Sequence, residues 1–213
     1  MLEITLAWLP RLFDAALLTL ALSAVIFGLS GVLGLGLAVL VSERRSPWPR
    51  RIAEAFSAAF RSLPELVILF LFFFGGPQLG VDLGPVGSTI VAFVLVGIAF
   101  DYQVFKGALS VIPRGQFDAG RALGLSGWRL LGLIILPQML PIARKGWITY
   151  AIATVKRLSI ASAVSVSEIM YVTKQGIAAT NAPFLFLSLA VALYILIVAP
   201  LLAFNERPMK AVA

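Results

Sequence analysis

The sequence contains no cysteine and no histidine. Without cysteine there are no disulfides, thiol nucleophiles or thiolate metal ligands, and without histidine the commonest general base is missing. An enzyme of this sequence would have to use carboxylates, lysine or serine, and no paired carboxylates occur at an obvious catalytic spacing. We therefore expect a protein that is not an enzyme and that carries no metal or cofactor.

Charged residues are also scarce, at 13% of the 213 residues, whereas soluble domains average about 25%. Hydrophobic residues make up 60% of the chain, and its mean hydropathy is +0.99. Such a surface must largely face lipid, which predicts one all-α polytopic membrane domain over residues 1–213. The net charge of +7 comes from basic residues that flank apolar segments, so nucleic acid is not an expected partner.

Five apolar segments each approach or exceed the roughly 20 residues that a helix needs to cross the hydrocarbon core. They cover approximately residues 15–41, 52–74, 85–110, 138–163 and 183–204. In the first segment, Ser30, Gly34 and Ala38 follow an i, i+4 spacing that favours close helix packing. The connection before the fifth segment is polar, and we expect its Glu168 at the surface or at a gate.

Basic residues concentrate in alternate connections between these segments. They are Arg44, Arg45, Arg50 and Arg51 after the first segment, Arg114, Arg121 and Arg129 after the third, and Arg207 and Lys210 in the tail. The other two connections contain Lys174 as their one basic residue. Because basic loops stay on the cytoplasmic side, this pattern predicts an N-terminus outside and a C-terminus inside.

Three ionisable residues fall deep within the predicted spans. Glu65, Asp101 and Lys156 each lie about 16 to 21 Å along a helix from the nearest inside marker, close to the middle of the membrane. Charges at that depth are costly and favour a solute site shared by three spans. Two alternatives remain: Arg61 could pair with Glu65 at i, i+4, or Lys156 and Arg157 could end a shorter helix and reach the surface.

The stretch 114–137, between the third and fourth spans, reads RGQFDAGRALGLSGWRLLGLIILP. Ala119, Ala122 and Leu123 share one face at i, i+3, i+4 spacing, which predicts a short amphipathic helix on the membrane surface. Gly124 follows directly and can end that helix in a left-handed conformation. The same stretch resembles the "EAA" signature of ABC-transporter permeases, with Asp118-Ala119-Gly120, Gly124 and Ile134-Ile135-Leu136-Pro137 at the family spacing.

Four further segments resemble that family, at residues 61–67, 104–108, 111–115 and 156–168. Together they make the chain similar to permeases of the polar amino-acid ABC importers, which handle His, Arg, Gln, Glu and opines. The resemblance implies a type I ABC importer fold with five transmembrane helices and a short cytoplasmic coupling helix, in a bacterial inner membrane. It also implies three partners: a second permease subunit, a cytoplasmic ABC ATPase dimer and an extracytoplasmic solute-binding protein. The chain has no G-x-x-x-x-G-K-[ST] motif of its own, which agrees with a separate ATPase.

Site residues follow from the resemblance and from the intramembrane charges. Those expected to contact the solute are Lys156, Arg157, Ser159, Glu65, Gln103 and Asp101. Those expected to couple to the ATPase are Asp118, Ala119, Gly120, Ala122, Leu123, Gly124 and Leu125.

The chain departs from the family pattern at several of these positions. Asp118 replaces a Glu, and Gly120 replaces an Ala, which should loosen the short helix by up to about 1 kcal/mol. Arg157 stands where the family usually has Asp or Ser, and Gln103 where it often has Glu. Fewer acids and one more cation favour a solute that carries carboxylates, such as an acidic amino acid or an opine.

Two other functions remain open from the sequence. One is a stand-alone secondary transporter or channel that couples ions through Asp101 or Glu65. The other is a structural half of a heterodimeric permease in which the partner subunit holds the solute.

Overall fold

The computed structural model describes residues 2–43 and 47–207, and every regular element among them is helical. The α-helices are α1 Leu2–Glu43, α2 Pro47–Ser62, α3 Glu65–Phe70, α4 Gly84–Val111, α5 Arg114–Ala122, α6 Gly127–Leu130, α7 Leu136–Arg157, α8 Ile169–Thr180 and α9 Pro183–Glu206. Leu71–Gly75 and Leu131–Ile135 are π-helical, and Pro77–Leu79 and Leu158–Val164 are 3₁₀ segments. The all-α prediction is confirmed. Arg44, Arg45 and Lys210, which entered the orientation argument, lie outside the described residues.

Three of the described helices are long and apolar enough to cross a membrane: α1 within Ile4–Ser42, α4 and α9. They correspond to the first, third and fifth predicted spans, and α4 alone is about 42 Å long at 1.5 Å per residue. Helix α7, in place of the fourth span, has 22 residues but carries Arg144 and Lys145 near its middle and Lys156 and Arg157 at its C-terminal end. The total of five spans therefore stays a prediction.

The second predicted span, at residues 52–74, is not one straight helix. The chain breaks at Leu63 and Pro64, and the helical pieces on either side, α2 and Glu65–Gly75, meet at 99°. Proline has no N–H to donate and disfavours helical geometry in the residue before it, so α2 stops there. A new helix starts at once, because the N–H groups of Val67 and Ile68 donate to the Pro64 carbonyl oxygen.

Helices α1 and α4 pack along the predicted ridge of small residues. A Cβ atom placed on Gly34 would lie 2.6 Å from the Cβ of Asp101, so only glycine allows this approach. On α4, Gly97 faces Ser30 in the same way, and Ala38 is buried in the core. The packing role that the sequence predicts for Ser30, Gly34 and Ala38 is confirmed.

Helix α7 completes this core by packing against both α1 and α4. The ring of Trp147 stacks on Phe27 with centroids 4.8 Å apart and lies against Gly31. Helix α8 occupies most of the connection predicted to be polar and packs onto α9, where Gly176 makes room for the ring of Phe186. The polar segments are thereby held against the apolar helices.

Candidate functional site

An ion pair joins Glu65, the first residue of α3, to Arg157, the last residue of α7. Both side chains are largely buried, with 14% of Glu65 and 24% of Arg157 exposed. The guanidinium carbon lies 4.7 Å from the ring centroid of Tyr150 and 5.6 Å from that of Phe100. Oε2 of Glu65 and Nη2 of Arg157 are buried without a hydrogen-bond partner in the described part of the chain. The pair therefore has one unfilled acceptor and one unfilled donor.

The alternative in which Arg61 pairs with Glu65 is wrong. Arg61 directs its Nε–H at the carbonyl and hydroxyl oxygens of Ser57, 3.2 and 3.1 Å away. The break at Pro64 separates Arg61 from Glu65 by a sharp bend rather than by one helical turn. The partner of Glu65 comes instead from α7, far away in the sequence.

Lys156 precedes the ion pair and points to the surface. It is exposed, and no ion pair or side-chain hydrogen bond of its ammonium group occurs among residues 2–43 and 47–207. The hydroxyl of Ser159 donates to the Lys156 carbonyl oxygen at 2.9 Å. Lys156, Arg157 and Ser159 thus lie together where α7 passes into its 3₁₀ extension.

Asp101 takes a different place from the one expected of a solute ligand. It is fully buried between α4 and α1, where the hydroxyl of Ser30 donates to Oδ2 at 2.7 Å. Its position beside Gly34 makes it part of the helix contact. The neighbouring Phe100 reaches Arg157, but solute binding by Asp101 itself stays a prediction.

Gln103 belongs to a polar network between α2 and α4 that the sequence did not reveal. Its Nε2 donates to Glu54 Oε2 and to Ser57 Oγ, both at 3.0 Å. Glu54 also accepts from Tyr102 at 3.0 Å and forms an ion pair with Lys106. Tyr102, Gln103 and Lys106 lie within about one turn of α4, but only the packing of α2 against α4 brings them to Glu54, so no local sequence signal indicated this network.

The expectation that Glu168 lies at the surface or at a gate is wrong. Glu168 is fully buried and caps α8 by accepting from the N–H groups of Met170 and Tyr171 at 2.9 and 2.8 Å. The hydroxyl of Tyr194 on α9 donates to it at 3.2 Å. Burial raises the pKa of Glu168 to about 7, although these hydrogen bonds act in the opposite direction. Its role in the described fold is to join two helices.

The predicted amphipathic helix is α5, and it ends as the sequence indicates. Gly124 adopts a left-handed conformation with φ 75°. Its N–H donates to Arg121 O at 2.9 Å, and the N–H of Leu125 donates to Gly120 O at 3.0 Å. This pair of bonds is the Schellman motif, which satisfies the last carbonyls of a helix. The predicted stop at Gly124 is confirmed.

Helix α5 is packed against other residues on one side and exposed on the other. Gly120 is buried, and a Cβ there would collide with Leu130 and meet Ile134 at 3.0 Å. The glycine thus serves close packing and does not only loosen the helix. Ala119, Ala122 and Leu123 are exposed, Leu123 to 77%. A short apolar face without a partner is typical of a contact with another protein.

A helical membrane protein with buried charges in its spans and an exposed amphipathic helix between two of them has the architecture of a transporter's membrane subunit. The chain belongs to the family of binding-protein-dependent transport system inner membrane components, whose family model matches residues 30–210. The family resemblance predicted from the sequence is confirmed.

Individual relatives agree with this assignment. The chain is 30% identical over 195 residues to the arginine ABC transporter permease protein ArtQ of Haemophilus influenzae, covering 88% of this chain and 87% of the relative. It is also 30% identical over 202 residues to the octopine transport system permease protein OccQ of Rhizobium meliloti, covering 89% and 85%.

Two solved structures have the same fold. An amino acid ABC transporter crystallised with histidines superposes with a TM-score of 0.84 at 18% identity, covering 95% of this chain and 94% of that one. The MetNI methionine ABC transporter, in an inward-facing conformation, gives 0.80 at 22% identity, covering 93% and 94%. The type I importer permease fold is confirmed.

The family fixes the broad function. The protein is an inner membrane transport component that works with a binding protein and an ATPase. ATP hydrolysis belongs to a separate subunit in this family, so the chain is a permease and not an enzyme. These findings replace the alternative of a stand-alone secondary transporter or channel.

Proposed function

We propose that this chain is the permease subunit of an ATP-driven importer for polar amino acids or opines, and that α5 is its contact with a cytoplasmic ATPase dimer. The observation that carries the proposal is α5 itself. One side of α5 is packed closely at Gly120, and the helix ends in a left-handed turn at Gly124. These two features fix the position of its exposed apolar face. The relatives named for arginine and octopine transport support the solute class.

The whole chain, residues 1–213, acts as one transmembrane domain with its N-terminus outside and its C-terminus inside. Arg144, near the middle of α7, donates to the backbone oxygen of Arg207 at 2.6 Å, just after the end of α9. Arg50 and Arg114 likewise line one common pocket. These contacts between basic residues of different segments support the proposal of a single cytoplasmic face. A second permease subunit and an extracytoplasmic binding protein complete the assembly.

The solute site lies at the Glu65–Arg157 pair. An amino acid carries both an ammonium and a carboxylate group, and the pair leaves Glu65 Oε2 and Arg157 Nη2 unfilled. The charge of Arg157 is already offset by Glu65, so Lys156 supplies the extra positive charge for a carboxylate. The hydroxyl of Ser159 lies next to it. Gln103 and Asp101 support the helices around the site through Glu54 and Ser30.

Replacing Lys156 tests this site. Hydrogen bonds to charged groups contribute about 1.5 to 3 kcal/mol, so Lys156→Gln should reduce solute uptake by roughly tenfold or more. Lys145→Gln is the matched control, because Lys145 is exposed on the same helix and remote from the pair. Uptake of labelled arginine, octopine and glutamate is measured in proteoliposomes that also contain the ATPase, the second permease and the binding protein. Equal uptake by both variants would exclude Lys156 from the solute path.

A further inference from the structure

A second site lies at the end of the molecule that carries α5. A pocket of about 560 Å³ opens where the end of α1, the start of α2, the end of α4 and the start of α5 meet. Three basic side chains line it, Arg50, Lys106 and Arg114. Its apolar wall includes Val41 and Phe117. The wall of the pocket therefore has a positively charged part and an apolar part.

The positive charge of this pocket is largely unmatched. Lys106 is paired with Glu54, but Arg50 and Arg114 have no ion pair or side-chain hydrogen bond to any residue that the structure describes. The helices that begin here, α2 and α5, have no acidic residue in their first turns. Since helix N-termini carry partial positive charge, they add to the potential of the arginines. The pocket is suited to an anion.

We propose that the pocket binds the phosphate headgroup of an anionic phospholipid from the cytoplasmic leaflet. Basic pockets between membrane helices on the cytoplasmic side are suited to such headgroups, and the apolar wall would hold the first carbons of the acyl chains. Trp48 is 65% exposed at the start of α2, directly after Pro47 of the pocket wall, and tryptophan is enriched at membrane interfaces. The proposal rests on the cytoplasmic placement proposed above.

A lipid at this place would act on α5 directly. Arg114 is the first residue of α5 and contributes to the pocket wall together with Lys106 of α4. A bound phosphate would offset the unmatched charge of Arg114 and, by contacting Lys106 as well, hold the start of α5 against α4. The composition of the membrane would thereby affect the segment that contacts the ATPase.

The test measures phosphatidylglycerol and phosphatidylcholine binding to the full chain in detergent by native mass spectrometry. Each arginine near a membrane surface adds about fivefold to affinity, so Arg50→Gln with Arg114→Gln should weaken phosphatidylglycerol binding by about 25-fold. The control, Arg129→Gln with Lys145→Gln, removes the same charge from exposed positions outside the pocket. It should change binding by less than twofold, and phosphatidylcholine should not discriminate between the variants.

A variant that is expected to bind phosphatidylglycerol more tightly shows whether weaker binding is caused merely by damage to the fold. Glu54→Gln removes the partner of Lys106 and should tighten phosphatidylglycerol binding by about fivefold. Equal affinity in the two double variants would overturn the proposal, as would unchanged or weaker binding by Glu54→Gln. Displacement of the lipid by inorganic phosphate at equal concentration would instead identify a soluble anion and exclude a lipid site. Detergent exposes both ends of the protein, so the result is independent of orientation.

Discussion

The turn at Gly124 allows the proposal that α5 couples to the ATPase to be tested with a single amino-acid substitution. Gly124 has φ 75°, a conformation that costs a residue with a Cβ about 1 to 2 kcal/mol. The two bonds that end α5, from Gly124 to Arg121 and from Leu125 to Gly120, depend on it. Gly124→Leu should therefore lower the population of the intact helix end by about 5- to 30-fold relative to the frayed one.

The assay is solute import per ATP hydrolysed in proteoliposomes containing the complete importer. Gly124→Leu should lower import, by up to the same 5- to 30-fold, while ATP hydrolysis continues. Gly124→Asn should retain most of the coupling, because asparagine tolerates the left-handed conformation. Gly115→Leu controls for size, since Gly115 lies in α5, has no positive φ, and has open space where an added Cβ would lie.

Two results would refute the reasoning. If Gly124→Leu and Gly124→Asn import equally, the conformation of this turn does not affect coupling. If Gly124→Leu fails to insert into the membrane, the segment is needed for folding, and its contact with the ATPase is not the cause of the defect. Thermal unfolding of the purified variants separates these cases.

Two further predictions concern orientation and the buried ion pair. The chain has no cysteine, so a single introduced cysteine reports its own position. Ser126→Cys should react with an impermeant maleimide in inverted vesicles only, and Gln78→Cys should react in intact cells only. The reverse pattern would contradict the proposed topology. Glu65→Gln leaves Arg157 without its partner and should lower the free energy of unfolding by about 3 to 5 kcal/mol. Asp118→Asn removes the exposed ion pair with Arg121 and should cost less than about 1 kcal/mol; equal losses in thermal unfolding would mean that burial does not strengthen the Glu65 pair.

The sequence was most informative where one local property decides the structure. The length of an apolar segment predicted α1, α4 and α9, and the i, i+4 spacing of small residues identified the face of α1 that contacts α4. Gly124 ended α5 because its conformational freedom is a property of the residue itself. The family signature then located α5 between two spans.

Prediction failed where the partner is distant or where two local signals compete. Pro64 sits in an apolar segment, and its effect on the backbone outweighed the hydropathy that favoured a straight helix. The i, i+4 spacing favoured an ion pair between Arg61 and Glu65. The bend at Pro64 separates these two residues, and the folded chain brings Arg157 to Glu65 instead. Glu54 and Glu168 gave no sign of their partners, because their contacts depend on how α2, α4 and α9 pack.

The glycine contacts between α1 and α4 also restrict how this protein can move. Gly34 lies against Asp101, and Gly97 lies against Ser30, so each helix inserts its backbone into the other and neither can roll without a clash. A change of access between the two sides of the membrane must then carry α1 and α4 together as one body. The 99° bend at Pro64 is one break in the described chain at which we expect a second body to move relative to this pair. Because α5 follows α4 after Pro113, a pull on α5 would move the whole α1–α4 pair.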